Sequence, residues 1–370
     1  MITERRKLLY LGGAALVSVV LATTALVLRA EQGRSHFQPA EFLPGFAVNV
    51  KNSASIHVAS KDTEFDVAFK GGKWVLSGHG DYPAEFDQVR QTLIGLAALQ
   101  SLSPKTNRPD WLHYINLDTP PKGNGTEFIV KDASGKTLAE LITGTTEQLG
   151  DPNGTIGLFV RRPGENQTYL ARSVFTPAGG FLSWVDSSVL NLGAARVQQV
   201  TTTPPRGKGI TVTRDKEGDL KFKLLNPPKT GNPNQQILDA IPYAIASFTL
   251  ADVQPASTLD FTNAAHAVAK GFDGLLITVD IVPKDRALWS RITASAAPGA
   301  GPEALKDAGE INKKVAGWAY KLTDEKGKAL IADLDTVMTP PPGQAPAGGM
   351  PGMPPGMPPG MMMPPGMGAP

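Results

Sequence analysis

Five histidines, His36, His57, His79, His113 and His266, are the side chains best suited to metal binding or to proton transfer near neutral pH. No two of them stand four residues apart, and no HExxH motif occurs, so the spacing puts no imidazole pair on one helix face to hold zinc. Asp81, Glu85 and Asp87 form a tight carboxylate group, and paired carboxylates are common acid/base machinery. They fall where a helix is expected to start, however, and negative charge in a first turn is explained by the helix dipole alone. Arg161 and Arg162, with Lys131 and Arg172 nearby, suggest a small basic patch for an anionic ligand. The pattern favours a charged edge strand that discourages association between sheets.

Other reactive chemistry finds little footing. There is no cysteine, which excludes thiol catalysis, cysteine-ligated zinc, iron–sulfur clusters and disulfides. Neither a GxxxxGK[ST] phosphate loop nor a GxSxG nucleophile motif occurs, and the glycine pairs fall at expected hairpin turns. Trp74, Trp111, Trp184, Trp289 and Trp318 sit near the ends of expected elements, where core packing explains them better than a ligand box. Met350, Met353, Met357, Met361, Met362, Met363 and Met367 offer soft thioethers that suit Cu(I), but the same tail reads as a plain flexible segment. The expectation is therefore a non-enzymatic protein with no catalytic, cofactor-binding or metal-binding residues and no cofactor.

Thirty-six basic against thirty-four acidic residues leave a net charge of +2, so no global field recruits nucleic acid. The N-terminus speaks to location. Leu8 to Leu28 is 21 residues without a charge, the length of a helix that crosses a bilayer. Arg5, Arg6 and Lys7 precede it, which holds the N-terminus in the cytoplasm and sends the body outward. A cleaved signal peptide is the competing reading. The length of the run counts against it, as does Leu28-Arg29-Ala30, which puts Leu where a small residue is wanted. A twin-arginine export signal is a minor alternative. The expected location is a bacterial inner membrane, crossed once through Leu8 to Leu28, with the body in the periplasm.

The elements behind these residues read as α+β: antiparallel sheets with packed helices, in two imperfectly duplicated units after one transmembrane helix. The expected division is an anchor over 1–30, a tether over 31–47, a first unit over 48–200, a second over 201–338, and a Pro/Gly/Met-rich tail over 339–370 expected to be disordered. In the first unit, Ile56–Val58, Phe65–Phe69 and Lys73–Leu76 show strand periodicity. Pro83 is suited to open a helix whose core face is Phe86, Val89, Leu93 and Leu96. Glu127–Lys131 and Leu138–Thr143 flank a turn at Asp132–Lys136, and Gly157–Arg162 and Thr168–Ala171 flank another at Pro163–Asn166. Phe181–Asp186 closes the unit as a short helical turn.

After a linker over Thr201–Lys208 the plan restarts with strands at Gly209–Thr213 and Leu220–Leu224. A helix follows from Asn232-Pro233 with Ile237, Ile241, Ile245 and Phe248, and Pro242 should kink it. Val253-Gln254-Pro255 echoes Leu102-Ser103-Pro104, the mark of an internal repeat. Phe272–Val282 and Leu288–Ala294 are expected strands, and Pro302–Leu322 shows helical spacing at Leu305, Ile311, Val315, Trp318 and Leu322.

Taken together, Gly72-Lys73-Trp74-Val75-Leu76, Asp81-Tyr82-Pro83-Ala84-Glu85, Asn107-Arg108-Pro109 and Ile115-Asn116-Leu117-Asp118-Thr119-Pro120 form a recognisable series. Gly135-Lys136, Phe159-Val160-Arg161-Arg162, Trp184-Val185-Asp186, Phe272-Asp273-Gly274-Leu275 and Gly317-Trp318-Ala319-Tyr320 extend it. The series resembles a bacterial envelope family known as domain of unknown function 4340. Asn116-Leu117 stands where that family usually has Gly-Leu. The resemblance implies a single-span inner-membrane protein with an extracytoplasmic body, found in some cases with gliding-motility-type ABC transporter auxiliary components, and it carries no catalytic residue. The expected role is an accessory or scaffold in envelope transport or assembly. The alternative is a periplasmic module that binds a ligand between the two repeats.

Overall fold

A computed structural model describes residues 22–24, 38–150 and 155–338. Of the expected membrane span only Ala22–Thr24 is described, as helix, and the tail from Thr339 lies outside the described residues. Among the described residues no helix is long and apolar enough to cross a membrane. The architecture is α+β with mostly antiparallel sheets, divided into two compact units. The first contains the described residues up to Val189 together with Thr249–Thr258. The second contains Leu190–Phe248 and the described residues from Leu259 onward.

The first unit opens with β1 (Ala40–Glu41) and α1 (Phe46–Asn49). The first lies inside the stretch expected to be tether and the second begins there, and Phe42 and Phe46 are buried. Strands β2 (Ser53–Ala59), β3 (Glu64–Lys70) and β4 (Lys73–Leu76) follow as expected. Period-two alternation sends Ile56, Val58, Phe65 and Val67 into the core while Glu64 and Asp66 face out. After β5 (Tyr82–Pro83) come α2 (Phe86–Ala97) and β6 (Gln100–Pro104). A meander then runs through β7 (Thr126–Asp132), β8 (Thr137–Gln148), β9 (Ile156–Arg161) and β10 (Thr168–Ser173). The turn between β7 and β8 forms as its residues demand: Asp132 Oδ1 accepts from the amides of Ser134 at 2.9 Å and Lys136 at 3.0 Å, and Gly135 supplies φ 86°.

Helix α2 starts three residues later than Pro83 suggests. The Ala84 amide donates to Trp74 O at 2.9 Å and the Glu85 amide to Trp184 O at 2.7 Å, which holds the backbone extended until Glu85. Pro83 therefore ends a short strand instead of opening a helix. The buried face is set by Val89, Thr92 and Leu96, with Gly95 so close to Phe175 that a Cβ would lie 2.1 Å from its ring. Phe86, expected to face inward, is 61% exposed.

The second unit begins earlier than its expected start. Val197–Thr203 is a strand, β12, that pairs with β13 (Ile210–Thr213) on one side and β17 (Ala265–Gly271) on the other. Part of the expected linker is thus inside a sheet, and the first unit's main segment ends at Val189, not near Val200. The chain also forms β11 (Ser188–Asn191), β15 (Ser247–Thr249) and β16 (Val253–Pro255). Strand β14 is only Lys223–Leu224. Helix α3 (Gln235–Ala246) is capped by the Asn234 side chain, which accepts from the Gln236 amide at 3.1 Å, and it continues through a buried Pro242.

Strands β18 (Leu275–Lys284) and β19 (Ala287–Ala296) pair along ten residues. Residues 272–274, expected to begin a strand, make the turn into β18, where Gly274 has φ 87°. The expected helix over Pro302–Leu322 divides into α4 (Pro302–Val315) and β20 (Trp318–Lys321). Gly317 at φ 83° turns the chain, and Ser290↔Tyr320 pairs the strand with β19. The buried face of α4 is Ala304, Ala308 and the expected Val315, whereas Leu305 is exposed. Helices α5 (Asp324–Leu330) and α6 (Leu334–Val337) complete the unit.

The two sheets share a wiring plan. In the first, the run β4-β3-β2-β7-β8-β9-β10 are neighbours; in the second, β14-β13-β12-β17-β18-β19-β20 are neighbours in the same chain order. Helix α2 follows β5, and α3 follows β14, at corresponding points of the chain, and each leads to a short strand, β6 or β16.

Candidate functional site

The residues with chemical potential are spread over both units and engaged locally. His57 Nδ1 lies 2.9 Å from Asp66 Oδ1, a cross-strand pair between β2 and β3. His79 stacks on Phe181 with ring centroids 4.9 Å apart, and its Nε2 is 3.4 Å from Asp252 Oδ1. His113 packs on Tyr114. His266 Nδ1 lies 2.8 Å from Asp280 Oδ1, whose other oxygen accepts from Arg291 at 2.7 Å. His36 lies outside the described residues. Among the described residues no group of three His, Asp or Glu is placed to hold a metal ion. The carboxylate group separates as well: Asp81 accepts from Lys70 Nζ at 2.7 Å, Glu85 takes the N-cap position of α2, and Asp87 accepts from Arg90 at 3.1 Å.

The arginine patch is a different object from either sequence expectation. Strand β9 lies between β8 and β10, so it is not an edge. Arg161, at its end, is only 4% exposed and faces inward. Its Nε donates to Leu117 O at 2.6 Å, its Nη2 to Thr119 Oγ1 at 2.6 Å and its Nη1 to Glu165 O at 3.2 Å. Burial pushes its pKa below the ordinary arginine value, against the opposing pull of Asp118 and Glu127. The guanidinium thus gathers the loop that runs from Pro109 to Gly125 onto the sheet. That loop sits on Gly144 of β8, where a Cβ would lie 2.1 Å from Ile115 O. Asn116 turns there at φ 52°, a left-handed conformation in which Asn is the best substitute for Gly. Arg162 lies over Phe42 at 4.8 Å and donates to its carbonyl at 2.9 Å, so it also serves packing.

Near Arg161, burial raises the Glu127 pKa, and the Glu140 carboxylate adds to the shift. A carboxylate whose folded pKa exceeds its unfolded value favours folding when protonated. That contribution is full below the unfolded pKa and is lost as pH rises through the folded one. Glu127→Gln is therefore expected to raise the urea midpoint of unfolding at pH 7. The gain should vanish at about pH 4 or below, where both states protonate Glu127. Equal gains at both pH values would assign the effect to packing instead.

Among the tryptophans, Trp184 is buried and meets Phe65 edge-on at 5.9 Å. Trp111, expected to be a core anchor, is 48% exposed and lies under the Arg108 guanidinium at 4.9 Å.

The strongest surface feature surrounds α2. Phe86 and Ile94 stand eight residues apart with Arg90 between them, one stripe of a helix, and both are more than half exposed. Val48 is exposed on α1, which touches α2. Leu182 is exposed on the short turn Phe181–Trp184, which also touches α2. Val174 is exposed beside Phe175, the residue that packs on Gly95. Five large apolar side chains are therefore exposed on α2 or on segments that touch it. The sequence signal for it was Ile94, an apolar residue off the Val89–Leu93–Leu96 face.

No curated protein and no solved structure matches the chain. Similarity to a family does appear: the model of the domain of unknown function DUF4340 matches residues 74–273. That match begins at the Trp74 strand, includes α2, the Arg161 loop and α3, and covers more than half of the sequence. The chain belongs to the DUF4340 family.

Proposed function

We propose that this protein is a non-enzymatic, membrane-anchored extracytoplasmic protein, an accessory or scaffold to an envelope transport or assembly system. Its anchor is the uncharged run Leu8 to Leu28, with Arg5, Arg6 and Lys7 holding the N-terminus in the cytoplasm of a bacterium. The body is read as an internal duplication, supported by the shared strand order and by the matching places of α2 and α3. A transporter auxiliary component is the partner class in keeping with the family resemblance.

The observation that carries this reading is the apolar face around α2. Phe86, Ile94, Val48, Val174 and Leu182 expose apolar area that water disfavours and that a protein partner would cover. Site-specific photo-crosslinkers at Phe86 and Ile94, with Lys136 of the β7–β8 turn as control, test it in native membranes. Capture of one envelope or transporter protein from both helix positions, and not from 136, is expected. Capture of the same species from all three positions, or only of the protein itself, would remove the proposal.

A further inference from the structure

The second unit contains a cleft of about 670 Å³ that the accessory reading does not use. Its apolar lining comes from Pro204 and Pro205 in the loop after β12, Ile281 and Pro283 of β18, and Ile331 just after α5. The walls are fastened to one another. Thr202 Oγ1 donates to Ala332 O at 2.6 Å, and the Leu334 amide donates to Lys208 O at 3.0 Å, so the 204–208 loop and the 331–336 segment are held as a pair. Gly207 allows this approach, since a Cβ there would lie 2.5 Å from Asp333 Oδ2. The cleft is thus held open by hydrogen bonds and close packing, as ligand sites usually are.

Its charges are asymmetric. Arg206 and Lys328 line the cleft, are exposed, and form no ion pair among the described residues. The one carboxylate in the lining, Asp333, is engaged by its own chain. Its Oδ1 accepts from the Thr336 amide at 2.8 Å and from Thr336 Oγ1 at 2.6 Å. Two cations without an ion pair among the described residues, beside an apolar floor, complement a molecule with a negative end and an aliphatic body.

We infer that this cleft binds a small amphiphile with an anionic head, a carboxylate or phosphate, on an aliphatic body of roughly eight carbons, a size that suits pockets of this volume. The head lies between Arg206 and Lys328, and the body rests on Ile281, Pro283 and Ile331. Such a molecule reaches the cleft either free in solution or as part of an anionic lipid. The inference does not depend on the α2 face.

Hydrogen-exchange mass spectrometry on the full-length protein in phosphatidylcholine nanodiscs tests it, with octanoate as probe. Octanoate is expected to slow exchange in peptides spanning 204–209 and 331–337. The double variant Arg206→Gln/Lys328→Gln, which alters only exposed side chains, should need about tenfold more octanoate for the same protection, equivalent to about 1.4 kcal/mol. Protection by phosphatidylglycerol nanodiscs without octanoate would identify lipid as the source, whereas its absence would identify the free molecule. Absence of protection up to millimolar octanoate overturns the inference. Equal protection by octanol, or an unchanged response in the double variant, overturns it as well.

Discussion

Replacing Arg161 by methionine is expected to destabilise the first unit by about 3 kcal/mol, the scale for removing one partner of a buried charged network. Methionine occupies similar volume but donates nothing, so Leu117 O, Thr119 Oγ1 and Glu165 O lose the guanidinium that now satisfies them. The loop over Gly144 then loses its tie to β9. Thermal unfolding should show a fall in Tm of about 6–12 °C for a unit of this size. Arg161→Lys should not restore it, because one ammonium cannot reach acceptors arranged around a planar fork. An unchanged Tm in the methionine variant would mean that the loop is held by the Leu112–Leu117–Ile142 cluster alone. Hydrogen exchange of residues 109–125 separates these outcomes, since loss of the tie predicts faster exchange there.

Trp184→Ala is expected to cost about 3–5 kcal/mol, the range for truncating a large buried aromatic side chain. Trp184 is 0% exposed, its ring meets Phe65 edge-on, and its indole N–H donates to Ala178 O at 3.0 Å. Its backbone carbonyl accepts the Glu85 amide that sets the start of α2. Loss of the side chain should therefore loosen α2 as well as open a cavity. Urea unfolding gives the magnitude. Trp184→Phe should recover part of it, because the ring contact returns while the hydrogen bond does not. If both variants lose equally, the indole N–H bond and not packing dominates at this position.

Much of the first unit was legible from local pattern. Strands β2 and β3 alternate cleanly, and the Asp132–Lys136 turn names its own hydrogen bonds. The strand order around α3 matches that around α2, as the echo of Leu102-Ser103-Pro104 in Val253-Gln254-Pro255 led one to expect. Strands β12 and β17 were not. Val-Gln-Gln-Val-Thr-Thr-Thr and Ala-His-Ala-Val-Ala-Lys-Gly carry little apolar bulk, and they are strands because neighbours on both sides complete their backbone hydrogen bonds. The inner face of helix α4 was only partly legible, because it buries Ala304 and Ala308 along with the expected Val315 and leaves Leu305 outside. Arg161 could not be placed from its neighbours in sequence, since the groups it bonds at 117 and 119 lie more than forty residues away.

The amino-acid sequence by itself determined the α+β class, the family and the absence of thiol chemistry, because these rest on composition, periodicity and order along the chain. The tertiary structure decided what each conspicuous residue does. It made Arg161 a buried clamp, separated a carboxylate group into one residue at a helix N-cap position and two ion pairs, and left Phe86 and Ile94 facing water. It also brought residues near 204, 281 and 331 together around one cleft. Such outcomes depend on which distant backbone groups and side chains meet, and periodicity within a segment carries no information about partners a hundred residues away.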